Sequence, residues 1–507
     1  MESIASLFGP LYLALKDRRP SSAADIARCQ REQLRKILAA SRGTAIHRQL
    51  GLSRLDGRDP LRSFRELVPV NRYGDIQDLV EQVRRNRSDV LFQGKPVAMA
   101  QTSGTTSSHQ AGERYIPQNA ALLQNGTLGG IASLARLLQG TGPSLLGGKL
   151  LMLGGSTALE RNPWGVPEGD LSGIMARRIP RLLQGKYEPG PDIALESDWR
   201  LKLERIASRC ADRDIRLVSG IASWLHVLFE TVCRTKGVSR IDRCWNLRGM
   251  VHGGASISPS IAMLRDHLPD SLWMMEVYPA SEGFLAVGSR PWRLGEGEPP
   301  ELEVLSDHGL FLEFLPEGES ASDAVGVESL EKGQIYRVLV TNPAGLFRYE
   351  LGDLVQGEGP GRLRVAGRVK TRLSVFGEHV EGMEMDAALA HANQVHDSRV
   401  SQYHVAPIFP EAGQPAGRHE WWIEFLQPPS SPESYATALD RHLCEHVLDY
   451  AAHRTADMQL LPPVVHPVPP GTFHRALERQ GKLGGQHKVP QASQDRRFAT
   501  HLQESLA

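Results

Sequence analysis

Four short stretches hold the residue types that chemistry on a phosphate ester or anhydride would need. The first is AQTSGTTSSHQAGERYIP, Ala100 to Pro117. Gly104 lets the main chain approach a ligand closely, and unblocked N–H groups in such a loop can form an anion-binding nest. The hydroxyls of Thr102, Ser103, Thr105 and Thr106 can donate to phosphate oxygens, and Arg114 can supply positive charge. The pattern G-x-x-x-x-G-K-[ST] is absent, so the loop is not a P-loop. A solvated Ser/Thr/Gly loop is the plain alternative, and His109 within it reads as a solvated loop histidine.

The second stretch is YPASEG, Tyr278 to Gly283, which ends the strand-like run WMMEV. It sets an aromatic ring, a hydroxyl and a carboxylate at a strand's C-terminal end, where α/β proteins bind ligands. Tyr278 could stack on a purine, and Glu282 could hold Mg²⁺. The third is RYELGDLV, Arg348 to Val355, with Asp353 after a glycine at a turn, where a carboxylate can accept both hydroxyls of a ribose. The fourth, GRVKTRLSVFGEHVEGMEMDAAL, joins a glycine, basic residues, a strand and a carboxylate-rich helix. The second and third also read as ordinary structure, a strand-ending turn and a lone GD turn.

These stretches need a frame to hold them. The chain has 507 residues, beyond the ~250–300 at which one core stops growing, so two or three domains are expected. Residues 1 to about 90 are polar and helically periodic, with Gly43 as a stop for RCQREQLRKILAASRG. The apolar run near the N-terminus, SIASLFGPLYLAL, reads as a docking helix rather than a signal peptide, because its flanking charges have the wrong polarity. VLFQGKPVAM reads as a strand. KLLMLGG, IRLVSG, WNLRGMVHGG and SLWMMEV then alternate with helical windows, which predicts an α/β fold with a mixed or parallel sheet and covering helices. From about Glu301 the pattern turns β-rich, with ELEVLSDHGLFLEFLPE as a hairpin about Asp307-His308-Gly309. From about Val369 a small α+β unit follows, in which LPPVVHPVPPG looks like a rigid connector.

Lys+Arg and Asp+Glu both number 58, so the chain lacks the basic excess of a general nucleic-acid binder. No apolar stretch reaches the ~18 residues of a membrane span. Five scattered cysteines without a CxxC pair argue against a disulfide framework or a zinc site, and fit a reducing, cytoplasmic setting.

TSGTT, VSGIASWL, YPASEGF, AGLFRYELGDLV, GR…LSVFGEHVE and PPGTF…GGQHKVP occur in this order between Gln101 and Pro490. In that order they resemble the adenylate-forming superfamily, and more closely the GH3 acyl-acid amido synthetases. The resemblance implies a large N-terminal adenylate-forming domain over 1–368, with mixed sheets, helices and a β-rich part. A small mobile α+β domain over 369–507 would carry a catalytic lysine. It implies ATP and Mg²⁺, a small carboxylic acid made into acyl-AMP, and transfer of the acyl group to an amine such as an amino acid, by a monomer.

Carried over by position, Ser103, Gly104, Thr105, Thr106 and Arg114 would meet the ATP phosphates. Gly254, Ala255 and Ser256 of HGGAS, which begins at His252, would border adenine and the acyl group. Tyr278, Ala280, Ser281 and Glu282 would line adenine, α-phosphate and metal; Asp353 would hold ribose, and Arg368 would lie near the hinge. Lys488 in GGQHKVP matches the family's lysine–proline signature, and with Glu282 and Ser103 it completes the implied catalytic set. Trp224, Leu225, His226 and Met274 would line the acyl pocket, with core packing as the alternative. SHQAGER makes the phosphate loop about three residues longer than the family's usual spacing, and HK replaces the family's YK. A CoA or carrier-protein ligase shares the first half-reaction, and a non-catalytic relative would bind nucleotide or acid alone.

Overall fold

A computed structural model of the chain describes residues 19–102, 114–154, 159–178, 184–196, 198–254, 257, 260–368, 373, 375, 378, 380–409, 417–454, 460–480 and 489–506. The N-terminal apolar run, the loop 103–113 with Ser103, Gly104, Thr105, Thr106 and His109, the pair Ala255 and Ser256, and Lys488 lie outside them.

Helices come first. α1 (Ala23–Ala40) begins behind Ser22, whose side chain accepts the Asp25 N–H, and it buries Ile26, Gln30, Gln33, Leu34 and Ile37 along one stripe. α2 (Tyr73–Arg84) buries Ile76, Leu79, Val80 and Val83 in the same way. β1 (Ala98–Thr102) and β2 (Arg114–Gln118) pair antiparallel, with Thr102 opposite Arg114. The strand expected from Val90 therefore starts only at Ala98. Val90, Leu91 and Phe92 are buried in irregular chain instead, with the Val90 carbonyl taken by the Ile46 N–H.

β3 (Lys149–Met152), β4 (Ile215–Gly220), β5 (Gly249–Gly253) and β6 (Trp273–Ala280) run parallel, in the order β3-β4-β5-β6. Parallel neighbours need crossovers, and helices supply them. α3 (Ala120–Thr141) covers one face, packing Ala132, Ala135 and Leu137 with Met275 and Val287. α4 (Trp199–Cys210), α5 (Ala222–Lys236) and α6 (Ile261–His267) cover the other, around Leu225, Phe229, Met250 and Met274.

At β6 the sheet changes character. β7 (Gly283–Gly288) folds back on it antiparallel, and β8 (Leu302–Val304), β9 (Phe311–Pro316), β10 (Ile335–Thr341), β11 (Tyr349–Gly357) and β12 (Arg362–Arg368) extend it in the order β7-β8-β12-β11-β10-β9. With three two-residue strands, Tyr187–Glu188, Trp292–Arg293 and Val325–Gly326, this makes one sheet of thirteen strands among the described residues. The expected hairpin about Gly309 does not form. β8 lies between β7 and β12, whereas β9 pairs with β10. α1 intervenes: Gln30 donates to the Ser306 and Leu310 carbonyls and accepts the Leu312 N–H, so a buried helix side chain fixes the connection that a ladder would have fixed.

A separate three-stranded sheet follows: β13 (Arg399–Ile408), β14 (Arg418–Gln427) and β15 (Val464–Val468). α7 (Gly382–His396) and α8 (Pro432–His446) cover one face around Trp421; α9 (Thr472–Arg479) and α10 (Arg497–Glu504) cover the other around Trp422. The Pro-rich run expected to be a connector contains β15, which pairs parallel with β14 at the sheet's edge. An edge strand leaves one side of its ladder unpaired, so Pro467 is tolerated there. Among the described residues, no helix is long and apolar enough to cross a membrane.

Candidate active site

The turn after β6 sits where the parallel half of the sheet meets the antiparallel half. Its backbone is pinned from two sides. Gln118, almost fully buried, donates Nε2 to the Ser281 carbonyl at 2.8 Å. Asn342 donates Nδ2 to the Glu282 carbonyl at 2.8 Å, while its own Oδ1 accepts the Ala344 and Leu346 N–H groups. Asn125 of α3 holds the start of β7, accepting the Phe284 N–H and donating to the Phe284 and His308 carbonyls. The turn is preorganised by three side chains that lie far from it in the chain. A Cβ on Gly283 would meet Leu310 Cδ1 at 2.6 Å, so glycine is what allows this close approach.

Tyr278 is buried, its ring within the large core cluster. Its hydroxyl donates to Asp353 Oδ2 at 2.6 Å. Burial and that carboxylate push the phenol well above its ordinary range, so the proton stays on Tyr278. Here the tyrosine serves as a buried donor; its ring offers little open face for stacking. Asp353 lies inside β11 rather than at a turn. Between Leu339–Glu350 and Arg337–Leu354 the ladder slips, which leaves Leu351, Gly352 and Asp353 on a bulge, with Gly352 at φ 83. Such a bulge re-aims a side chain out of the regular alternation. Arg368, directly opposite on β12, brings Nε to 2.9 Å from Asp353 Oδ1. Asp353 is thus held on both carboxylate oxygens, by the Tyr278 hydroxyl on Oδ2 and by the Arg368 guanidinium on Oδ1. The Asp353 charge in turn raises the Arg368 guanidinium further above its normal value.

Glu282 is partly buried beside this group. Burial pushes its carboxyl up to about 7; Asp353 adds to the rise, and Arg368 and Arg114 oppose it. Arg114, at the first residue of β2, lies over the Tyr73 ring at 5.2 Å. The Ser/Thr/Gly loop thus springs from a paired stem, Thr102 and Arg114, whose cation reaches the Glu282 field. On β5, Gly253 could carry no side chain, because a Cβ there would stand 2.2 Å from the Val277 carbonyl oxygen. Gly254 follows at φ 77. His252, just before, is fully buried with neither ring nitrogen hydrogen-bonded, and burial pulls it down to about 3.

The expected acyl-pocket residues part company. Leu225 and Met274 are completely buried in the cluster under α5, where they act as core. Trp224 is partly buried against Trp199, 5.0 Å between ring centroids. His226 faces Glu230 and His267. Ala280 and Ser281 belong to the pinned turn.

Sequence reading missed Gln118, Asn125 and Asn342: the first two sit in the amide pairs Gln118-Asn119 and Gln124-Asn125, and the third follows the apolar strand IYRVLVT. It also missed the buried triad behind β11. Arg348, at φ 43, sets Nε 3.0 Å from Glu313 Oε2, and Arg65 Nε lies 2.8 Å from Glu313 Oε1. Arg348 also donates to the Arg65, Val68 and Ala321 carbonyls. This fixes the start of the strand that carries Asp353.

Comparison with known proteins bears on this arrangement. Residues 20–207 match the GH3 family N-terminal domain, 303–361 the GH3 family central domain and 383–497 the GH3 family C-terminal domain. Jasmonoyl–L-amino acid synthetase JAR6 of Nicotiana attenuata is 25% identical over 407 residues, 66% of this chain and 67% of the relative. The probable indole-3-acetic acid-amido synthetase GH3.9 of Oryza sativa subsp. japonica is 26% identical over 236 residues, 42% of this chain and 52% of the relative. The fold matches the solved GH3.15 acyl acid amido synthetase with a TM-score of 0.76 at 16% identity, over 95% of this chain and 94% of that one. It also matches a 2-hydroxyisobutyryl-CoA ligase in its postadenylation state, at 0.55 and 15% identity, over 96% of this chain and 93% of that one.

Proposed function

Since the chain belongs to the GH3 family, its three domain models together covering more than half of the sequence, we propose that it joins a small carboxylic acid to an amine at the expense of ATP. In the first half-reaction the acid's carboxylate oxygen attacks the α-phosphorus, giving acyl-AMP and pyrophosphate. In the second the amine, by preference that of an amino acid, attacks the acyl carbon and expels AMP. Adenylation replaces a poor leaving group by a better one, and the site's task is to orient three reactants and balance charge.

One observation carries the reading: a buried carboxylate, Asp353, fixed by Tyr278 and Arg368 beside a turn held rigid at the C-terminal end of β6, with lone pairs left to accept. A ribose hydroxyl is a donor that these lone pairs would accept, with Tyr278 and Arg368 holding the carboxylate in place. Arg368 would balance the charge of Asp353 when phosphate is near. Glu282 is the residue that would hold Mg²⁺. Burial raises its carboxyl to about 7, which a cation beside it would reverse, and a hard oxygen beside a triphosphate suits that ion. Bound there, the ion would supply neutralisation of charge on the phosphates. The loop of Ser103, Gly104, Thr105 and Thr106 would cup the triphosphate, with Arg114 at its foot. Gly254, Ala255 and Ser256 would border adenine, and Trp224 the acyl group. The division at about residue 368 is supported by the separate sheet and cores of the C-terminal part, and Lys488 would enter the site from that part as it turns about the hinge. We place the reaction in the cytoplasm and in a monomer; five unpaired cysteines support the former.

ATP–pyrophosphate exchange across a panel of carboxylic acids, followed by offering amino acids against CoA, tests the reading. Exchange with at least one acid and amide formation are expected. Absence of exchange with every acid, or a CoA thioester with amino acids inert, overturns it. Lys488→Ala should lower exchange by roughly 10²–10³-fold, as removal of one preorganised charge-stabilising donor does.

A further inference from the structure

Away from the turn after β6, α5 and α6 bring together a second set of side chains. His226 and Glu230 are one turn apart on α5 and share a face, with His226 Nε2 3.5 Å from Glu230 Oε1. His267 ends α6 and sets its ring 5.2 Å from that of His226, centroid to centroid. One donor atom from each of the three residues lies within 4.8 Å of the other two. A tetrahedral ion with bonds of ~2.0–2.2 Å to nitrogen and oxygen holds its donor atoms roughly 3.3 Å apart. The His226–Glu230 edge already has that spacing, and the third donor needs only a small side-chain adjustment.

Other features of the cluster suit an ion better than they suit ordinary packing. His226 is 9% exposed, and its Nε2 is the nitrogen turned toward Glu230. His267 Nδ1 lies 3.9 Å from the Cys233 sulfur, a contact that orients the ring and leaves Nε2 as the nitrogen to ligate. Glu230 has 56% of its side chain exposed, which gives an ion a path from solvent.

We propose that His226, Glu230 and His267 form a three-ligand site for a divalent transition ion of the zinc class, with a fourth coordination position open to water or another small donor. Two imidazoles and one carboxylate select zinc, cobalt, nickel or copper over magnesium or calcium. The site is therefore distinct in chemistry from the Mg²⁺ position at Glu282. It lies beside the contact of Asp266 with Arg399, which ties α6 to β13, so an occupying ion would border the junction of the two parts of the chain. The proposal stands independently of the amide-forming activity.

The test is a titration of the full-length, metal-free protein with Zn²⁺ and with Co²⁺, followed by calorimetry and by visible absorption. One equivalent should bind, and Co²⁺ should develop the visible bands of a low-coordinate ion that Zn²⁺ then abolishes. His267→Ala and Glu230→Gln should each weaken binding by at least ~10-fold, the loss seen even for residues that only support a ligand. Glu230→Gln changes an exposed group, so its metal-free form should melt with wild type and rule out misfolding. Cys233→Ser should keep one equivalent. No saturable binding to wild type overturns the proposal. So does unchanged affinity in both ligand variants, or a sulfur charge-transfer band that Cys233→Ser removes, since that would assign the ion to another donor set.

Discussion

Tyr278→Phe separates two uses of one side chain. The substitution keeps the ring and deletes only the hydroxyl that donates to Asp353 Oδ2 at 2.6 Å. A buried hydrogen bond to a charged acceptor is worth about 1.5–3 kcal/mol. At about 1.4 kcal/mol per factor of ten, its loss corresponds to roughly 10–150-fold. If Asp353 must be held to receive ribose, the KM for ATP should rise by about that factor, with the KM for the acid and kcat at saturating ATP within roughly threefold of wild type. Pyrophosphate exchange with ATP varied at saturating acid gives all three quantities. Melting should confirm that the hydrogen bond was lost, through a fall of about 1.5–3 kcal/mol in stability. An unchanged KM for ATP in a variant that shows this fall would refute the argument, because Asp353 would then not need the tyrosine to do its work. The same unchanged KM is what an adenine-stacking role would give, since phenylalanine stacks equally well.

Two further outcomes follow from buried charge. Folding raises the Glu282 carboxyl from 4.5 to about 7, so the native state binds more protons than the unfolded chain between those values, and stability should fall as pH rises through them. Glu282→Gln should therefore be more stable than wild type at pH 8, by on the order of 3 kcal/mol at most, and equal to it below about pH 4.5; denaturant melts at the two pH values read this directly. Arg348→Met should cost about 3–5 kcal/mol, because it strands Glu313 with Arg65 alone in the core, and adding Glu313→Leu should return part of that loss in denaturant unfolding.

Much of this molecule was legible in one dimension. The apolar periods of α1, α2 and α5 follow from the need to hide one face of a helix, and the runs at β3, β4, β5 and β6 from strands covered on both sides. Strand, glycine and carboxylate at YPASEG marked the site, because a ligand-binding turn needs those types next to one another in the chain. What tertiary structure decided was pairing and burial. Local turn chemistry favours a hairpin for the β8–β9 segment; Gln30, some 280 positions away, overrides it with three hydrogen bonds. VVHPV looked like a linker because proline hinders a ladder, yet an edge position removes the objection. The amides of Gln118, Asn125 and Asn342 acquire meaning only when distant segments place a carbonyl within reach. Asp353 and Arg368 become partners only through the register of β11 on β12, and His226 meets His267 only through the packing of two helices. Periodicity records how a segment divides itself between water and core, which is a local balance. Which buried polar groups find each other is a property of the whole packed chain.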